Sequence, residues 1–207
     1  QVITIEDTTP PTFTSVPADI TAECDAIPPV VLATASDNCD TDVTVTSTDI
    51  IQAGTCTDSY IIQRVYTATD NCGNTTQATQ VITIEDTTPP TFTSVPADIT
   101  AECDAIPPVV LATASDNCDT DVTVTSTDII QAGTCTDSYI IQRVYTATDN
   151  CGNTTQATQV ITIEDTTPPT FTSVPSDITA ECDAIPPVVL ATATDNCDTD
   201  VTVTSTD

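Results

Sequence analysis

Residues 60–85 read YIIQRVYTAT, then DNCGN, then TTQATQVITIE. Two runs rich in β-branched and aromatic residues flank five residues of turn chemistry, Asp70-Asn71-Cys72-Gly73-Asn74. That order predicts a β-hairpin with strands over 60–69 and 75–85. Apolar residues alternate with polar ones along the second run, through Gln80-Val81-Ile82-Thr83-Ile84, as a half-buried strand requires. Working outward, Val43-Thr44-Val45-Thr46-Ser47-Thr48 alternates in the same way. Further strands are expected over 12–16, 19–24, 30–36 and 43–50, separated by Pro10-Pro11, Pro17, Pro28-Pro29 and Asp37-Asn38. Helix signals are absent. Short strands at this spacing predict an all-β chain built as a β-sandwich.

The hairpin recurs. Residues 1–79 and 80–158 are identical, and a third copy from Gln159 departs only at Ser176 and Thr194, where the first copy has Ala18 and Ser36. Exact tandem identity marks a repeat array. An identical copy adds length, whereas a catalytic or binding domain specialises. The frame is read as 1–7, the last strand of a preceding module; 8–86 and 87–165, two full modules; and 166–207, a truncated third. On this reading the chain is a stretch of a longer polymer.

A 79-residue module is small for a self-sufficient core and calls for staples. Each full module carries four cysteines: Cys24, Cys39, Cys56 and Cys72, then Cys103, Cys118, Cys135 and Cys151. Cys182 and Cys197 follow in the third copy. No histidine and no close CxxC pair is present, so disulfides are favoured over zinc. Disulfides imply an oxidising compartment outside the cytosol. A run such as 30–36 holds its ends roughly 20–25 Å apart. A disulfide needs Cα atoms within about 7 Å, so pairs across one strand are excluded. The expected bonds are Cys24–Cys56 at one pole and Cys39–Cys72 at the other, repeated as Cys103–Cys135 and Cys118–Cys151. Cys182 and Cys197 are then expected unpaired.

Thirty-one acidic residues face two arginines, for a net charge of −29. Nucleic-acid backbones and anionic membrane surfaces are excluded as partners. Cations are favoured, and so is repulsion between neighbouring copies. High charge and abundant threonine also suit disorder; the cysteines and the strand patterning outweigh that. No segment approaches the roughly 20 apolar residues of a membrane helix. Without histidine or lysine, the commonest general base and the Schiff-base nucleophile are missing, and no enzyme activity is expected. Arg64 and Arg143, each mid-strand, are expected to pair with an acid of their own module. Asn74-Thr75-Thr76 is a formal N-glycosylation sequon, and Asp7-Thr8-Thr9 is similar to a bacterial O-glycosylation motif; short motifs of this kind often match by chance.

The segments 17–25 (PADITAECD), 66–74 (YTATDNCGN) and 84–90 (IEDTTPP) together resemble the hyaline-repeat (HYR-like) module. The resemblance covers essentially the whole repeat. It implies an immunoglobulin-like fold, and it implies an array of the kind found in giant Bacteroidota surface proteins, including gliding-motility adhesins. Val16 and Tyr66 stand where many members have cysteine and tryptophan, so the family's disulfide pattern does not transfer.

In an immunoglobulin-like topology the loop after the 30–36 run and the hairpin turn share a pole with the module's N-terminus. Asp37, Asp40, Asp42 and Asp70 would then gather beside Glu6 and Asp7, and Asp116, Asp119, Asp121 and Asp149 beside Glu85 and Asp86. Six to eight hard oxygens are what Ca²⁺ takes, so calcium is the cofactor these residues suggest. The spacing matches no EF-hand loop, and Asp and Asn are also ordinary turn formers. The function expected is the structural shaft of an extracellular filament or cell-surface adhesin. Its partners are neighbouring modules of the same chain and other copies of the filament. The alternatives are a multivalent ligand- or glycan-binding array and a self-assembling sheath or fibre. Four tyrosines, three phenylalanines and no tryptophan offer little for sugar stacking.

Overall fold

A computed structural model describes residues 1–206. Among the described residues the regular structure is all β. The strands are β1 (Thr12–Ser15), β2 (Ile20–Glu23), β3 (Thr34–Ser36), β4 (Thr44–Ala53), β5 (Tyr60–Thr69), β6 (Thr75–Glu85), β7 (Thr91–Ser94), β8 (Ile99–Glu102), β9 (Thr113–Ser115), β10 (Thr123–Ala132), β11 (Tyr139–Thr148), β12 (Thr154–Glu164), β13 (Thr170–Ser173) and β14 (Thr192–Thr194).

The chain divides into two compact units. Unit 1 comprises Gln1–Thr93 with Ala114–Thr123 and Ala147–Thr155. It therefore holds the first copy together with two loop segments of the second. Unit 2 comprises Ser94–Thr113, Val124–Thr146 and Gln156–Asp207.

In unit 1 the predicted hairpin forms as expected. β5 and β6 pair antiparallel from Tyr60↔Ile84 to Thr69↔Thr75. The turn between them closes through Gly73, whose φ of 89° lies in the left-handed region that only glycine enters freely. β4 adds antiparallel to β5, and β2 adds parallel to β6, giving the order β2-β6-β5-β4. β1 and β3 form a separate antiparallel pair. The module is an immunoglobulin-like β-sandwich. Period-two alternation turns Ile62, Arg64, Tyr66 and Ala68 of β5 inward, with Gln80, Ile82 and Ile84 of β6. Ile62, Ile82 and Ile84 form the apolar cluster, with Ala22, Cys24 and Tyr60 packed against it. The second copy repeats the four-stranded order as β10-β11-β12-β8 and the separate pair as β7–β9, and β13 pairs antiparallel with β14 in the third copy. The cluster of the second copy is Ile141, Ile161 and Ile163.

Three polar side chains sit inside each sandwich, Arg64, Tyr66 and Gln80 in the first and Arg143, Tyr145 and Gln159 in the second, and each has a partner. The Tyr66 hydroxyl, wholly buried, lies 2.8 Å from the Val31 carbonyl and 3.0 Å from Gln80 Oε1. Arg64 faces Asp49 in register across β5 and β4 and donates to both its carboxylate oxygens at 2.8 Å. Arg143 makes the same fork with Asp128 in unit 2. The fork holds the Asp49 and Asp128 carboxyls below the usual range. Each arginine thus has the same-module acid expected of it.

The run 30–36 departs from expectation. Only Thr34–Ser36 is a strand, and Val30, Val31 and Leu32 are more than half exposed. Pro28 and Pro29 bring no N–H to a ladder, and the Val31 carbonyl is taken by a side chain instead.

The disulfides also differ from expectation. Cys24 bonds Cys118, Cys56 bonds Cys151, and Cys103 bonds Cys197. Cys24–Cys56, Cys39–Cys72, Cys103–Cys135 and Cys118–Cys151 do not form. Cys39, Cys72, Cys135 and Cys182 carry free thiols, whereas Cys197, expected unpaired, is bonded. The Cys24 N–H donates to the Glu85 carbonyl, and Ser59, whose N–H donates to the Cys56 carbonyl, places its hydroxyl on the Ile84 carbonyl. Cys24 and Cys56 therefore lie together where β6 ends. The bonds leave that pole for the next copy instead of closing within it.

Candidate functional site: the acidic pole and its disulfide-bridged junction

At the other end of the first module the loops are held by their own acids. Asp37 Oδ1 accepts the N–H groups of Cys39 and Asp40 at 2.8 and 3.1 Å. Asp40, buried, accepts from Asp42 N–H through Oδ1 and from Asn71 N–H through Oδ2, both at 2.9 Å. Asp70, also buried, accepts from Cys72 and Asn74 N–H, and its Oδ2 takes the Asn74 amide at 2.8 Å. That same amide donates to the Asp7 carbonyl at 3.2 Å. Two loops and the linker are thereby tied into one pole. Short acids that capture nearby backbone N–H groups are how Asx turns form. Burial alone pushes the Asp70 carboxyl up, but its donors from Asn74, Cys72 and Gly73 outweigh that and leave it below the usual range. The Asn74 amide nitrogen is committed to two acceptors, which argues against the sequon as a glycan site.

In unit 1 the equivalent pole of the second copy meets the end of the first. Cys24–Cys118 and Cys56–Cys151 bridge it, with Cα atoms 5.9 and 5.1 Å apart. The Asn153 amide donates to the Asp86 carbonyl at 3.1 Å. The Asn150 amide donates to Asp58 Oδ2 at 2.5 Å, and the Asn150 N–H to Asp119 Oδ2 at 3.0 Å. Glu23, at the end of β2, accepts both the N–H and the hydroxyl of Thr87 in the linker. Those two donors hold the Glu23 carboxyl below its ordinary range. Asp58 and Glu23 were not legible as junction residues; in the sequence each is one acid among many. An open cleft of about 350 Å³ is lined by Cys118 of the first bridge with Asp58, Asp119, Asp121, Asp149 and Asn150 among others.

The twelve acids suggested as calcium ligands separate into three kinds. Asp40 and Asp70, with Asp119 and Asp149, are loop staples whose oxygens already accept N–H donors. Glu6 and Glu85, with Asp42 and Asp121, are exposed. The remaining pairs do come together. Asp7 and Asp37 offer ligand atoms within 4.8 Å of one another and of the Cys39 sulfur, and Asp86 and Asp116 do so with the Cys118 sulfur. Asp7 Oδ2, Asp37 Oδ2 and Asp86 Oδ2 are buried atoms with no hydrogen-bond partner. Asp86 is only 6% exposed. Burial pushes its carboxyl up, and the charges of Asp116, Asp149 and Glu23 add to the effect. Burial likewise raises the Cys39 thiol, helped by Asp7 and Asp37. In unit 2 the set is Glu102, Asp165 and Cys197, with Asp195 Oδ2 unpartnered.

A buried carboxylate oxygen aimed at a second carboxylate needs a proton or a cation between them. The Asp86–Asp116 pair fits a hard divalent cation in charge and donor type. The sulfur beside it does not contribute, because Cys118 is committed to its disulfide.

No protein-family model matches the chain, and no curated protein matches it. Among solved structures the chain is similar to Drosophila N-cadherin EC1-4, at 13% identity and a TM-score of 0.36, covering 76% of this chain and 50% of that one. It is similar to the protocadherin GammaB4 extracellular domain at 17% identity and a TM-score of 0.37, covering 90% and 37%. Human mucin-like protocadherin EC1-2 gives 13% identity and a TM-score of 0.32, covering 74% and 98%. The chain thus spans half or less of the first two. At these TM-scores the likeness carries no argument about function.

Proposed function

We propose that this chain is the repetitive shaft of an extracellular filament or cell-surface adhesin, in which identical modules supply length and resist tension. The observation that carries the reading is the disulfide pattern: each of the three bonds joins one copy to the next. A binding domain gains nothing from being locked to its neighbour, whereas a shaft under tension does. Disulfides persist outside the reducing cytosol, which supports an extracellular location. None of the described residues forms a helix long and apolar enough to cross a membrane. The resemblance to HYR-like repeats supports a surface protein of the Bacteroidota type. Each junction would hold Ca²⁺ on Asp86 and Asp116, or Asp7 and Asp37, with remaining oxygens from backbone or water. The ion would remove carboxylate repulsion and fix the inter-module angle.

Identical modules joined by identical linkers repeat one rotation and one translation, which yields a rod or shallow superhelix. Small-angle scattering on arrays of two to six copies tests this. The maximum dimension is expected to grow in proportion to copy number at constant cross-section. A compact particle whose dimension grows as the cube root of mass returns the chain to the multivalent-binding reading.

A further inference from the structure

We infer that the inter-copy disulfides form two continuous covalent rails that cap the extension of the array even when its modules unfold. The mechanical use of the rails rests on the shaft reading; the first rail rests on two bonds present in the chain, and the second on one bond that a further copy would continue from Cys135. Cys24–Cys118 and Cys103–Cys197 both step 94 residues along a 79-residue repeat. A path entering at Cys24 crosses to Cys118, runs backward to Cys103, and crosses again to Cys197. Between crossings it uses only residues 103–118. That span extends to at most ~55 Å, whereas a full repeat without bonds extends to ~270 Å.

The second rail begins with Cys56–Cys151, which steps 95 residues. From Cys151 its path runs backward to Cys135, a span that contains the whole of β11. A β-strand already stands near the full reach of its backbone, so this rail has little slack even before any module opens. The four free thiols fit the same step. Cys39 and Cys72 are the counterparts of bonded Cys118 and Cys151, and Cys182 and Cys135 those of Cys24 and Cys56. For each of them the partner demanded by a 94- or 95-residue step falls outside residues 1–207. In an array with further copies, each thiol becomes one more crossing.

Bonds closed within a module behave differently. They shorten each module's own contour but leave the linkers and the remainder of every copy free to pay out. Inter-copy bonds overlap along the sequence, so no stretch between the first and last crossing lies on the chain alone.

The test is single-molecule force extension of the 207-residue chain held at its two ends. With disulfides intact the shortest covalent route is 1–24, 103–118 and 197–207, about 50 residues, for a final contour of ~170 Å. Reductant is expected to lengthen the contour about fourfold, to ~700 Å. The double variant Cys24→Ser/Cys118→Ser, kept oxidised, is expected at about 110 residues, or ~370 Å, through either remaining crossing, Cys56–Cys151 or Cys103–Cys197. A final oxidised contour of about 140 residues, ~480 Å, is what Cys24–Cys56, Cys39–Cys72 and their repeats would give, and it overturns the rails. So does a contour that reductant leaves unchanged. Failure of the shaft reading looks different: compact scattering particles with a contour that still stops near 170 Å.

Discussion

At the residue scale, most of the acids prove to be structural. Asp37 spends Oδ1 on backbone donors two and three residues away, and Asp40 and Asp70 spend both oxygens, Asp40 reaching across to Asn71. Asp86, like Asp7, Asp37 and Asp195, keeps one buried oxygen without a partner, while its other oxygen lies on Thr88 N–H. Its carboxyl is raised, so between the ordinary and the raised value the folded chain keeps a proton that the unfolded chain has lost. Asp86 therefore costs stability when ionised at neutral pH, and the cost disappears as pH falls through the raised value. Asp86→Asn keeps the Oδ1 acceptor and removes the charge. In excess chelator at pH 7 it is expected to raise Tm by roughly 2–4 °C, a gain that vanishes below the ordinary carboxylate range. With millimolar calcium the order is expected to reverse, because only the wild-type pair gains the ligand's stabilisation. Calorimetry over pH 3–8, with and without calcium, reads both effects. If calcium leaves the two proteins in the same order as chelator does, the junction acids hold no cation.

At the element scale, the sandwich rests on a modest apolar cluster and on the accuracy of its turns. The β4–β5 connection closes by a 2.8 Å bond from Gly54 N–H to the Ser59 carbonyl. A Cβ at Gly54 would run into that carbonyl oxygen and its carbon, both backbone atoms that cannot swing away. Gly54→Ala is expected to cost about 2 kcal/mol, at the upper side of ordinary substitutions. Gly73 presents the opposite case: open space around it but a positive φ. Gly73→Ala should cost only about 1 kcal/mol, through the backbone alone. Equal denaturation midpoints for the two variants in urea would mean that the loop at Gly54 relaxes. The hairpin, its turn, β4 and the mid-strand Arg64 were all legible, because each rests on period, turn chemistry or a cross-strand neighbour. The 30–36 run was not. Its apolar residues read as a buried strand, but the double proline and the claim of Tyr66 on Val31 leave it irregular and exposed.

At the scale of the whole molecule, the bonds between copies dominate. Trypsin has two sites, after Arg64 and Arg143. Cleavage of the denatured, unreduced chain with its free thiols blocked yields pieces 1–64, 65–143 and 144–207. The three observed bonds link each piece to both others. The variant Cys39→Ser/Cys72→Ser touches none of those bonds, so its pieces are expected to stay together as one species on a non-reducing gel. Were the bonds closed within modules, the same variant would release piece 1–64.

The sequence alone determined the repeat, the β5–β6 hairpin with its turn, and the β4 strand beside it. Period, turn residues and identity are local properties, and they can be read without knowing what touches what. It could not determine which poles meet. Cys24 has one candidate in Cys56 of its own copy and another in Cys118 of the next, and nothing local in the sequence ranks the two. The choice falls to three-dimensional docking. The loops at Ala114–Thr123 and Ala147–Thr155 join unit 1 and place Cys118 and Cys151 against Cys24 and Cys56. The carboxylates divide for the same reason. Which of them staple a turn and which are left buried with a free oxygen depends on the N–H groups that the docked backbone brings within reach.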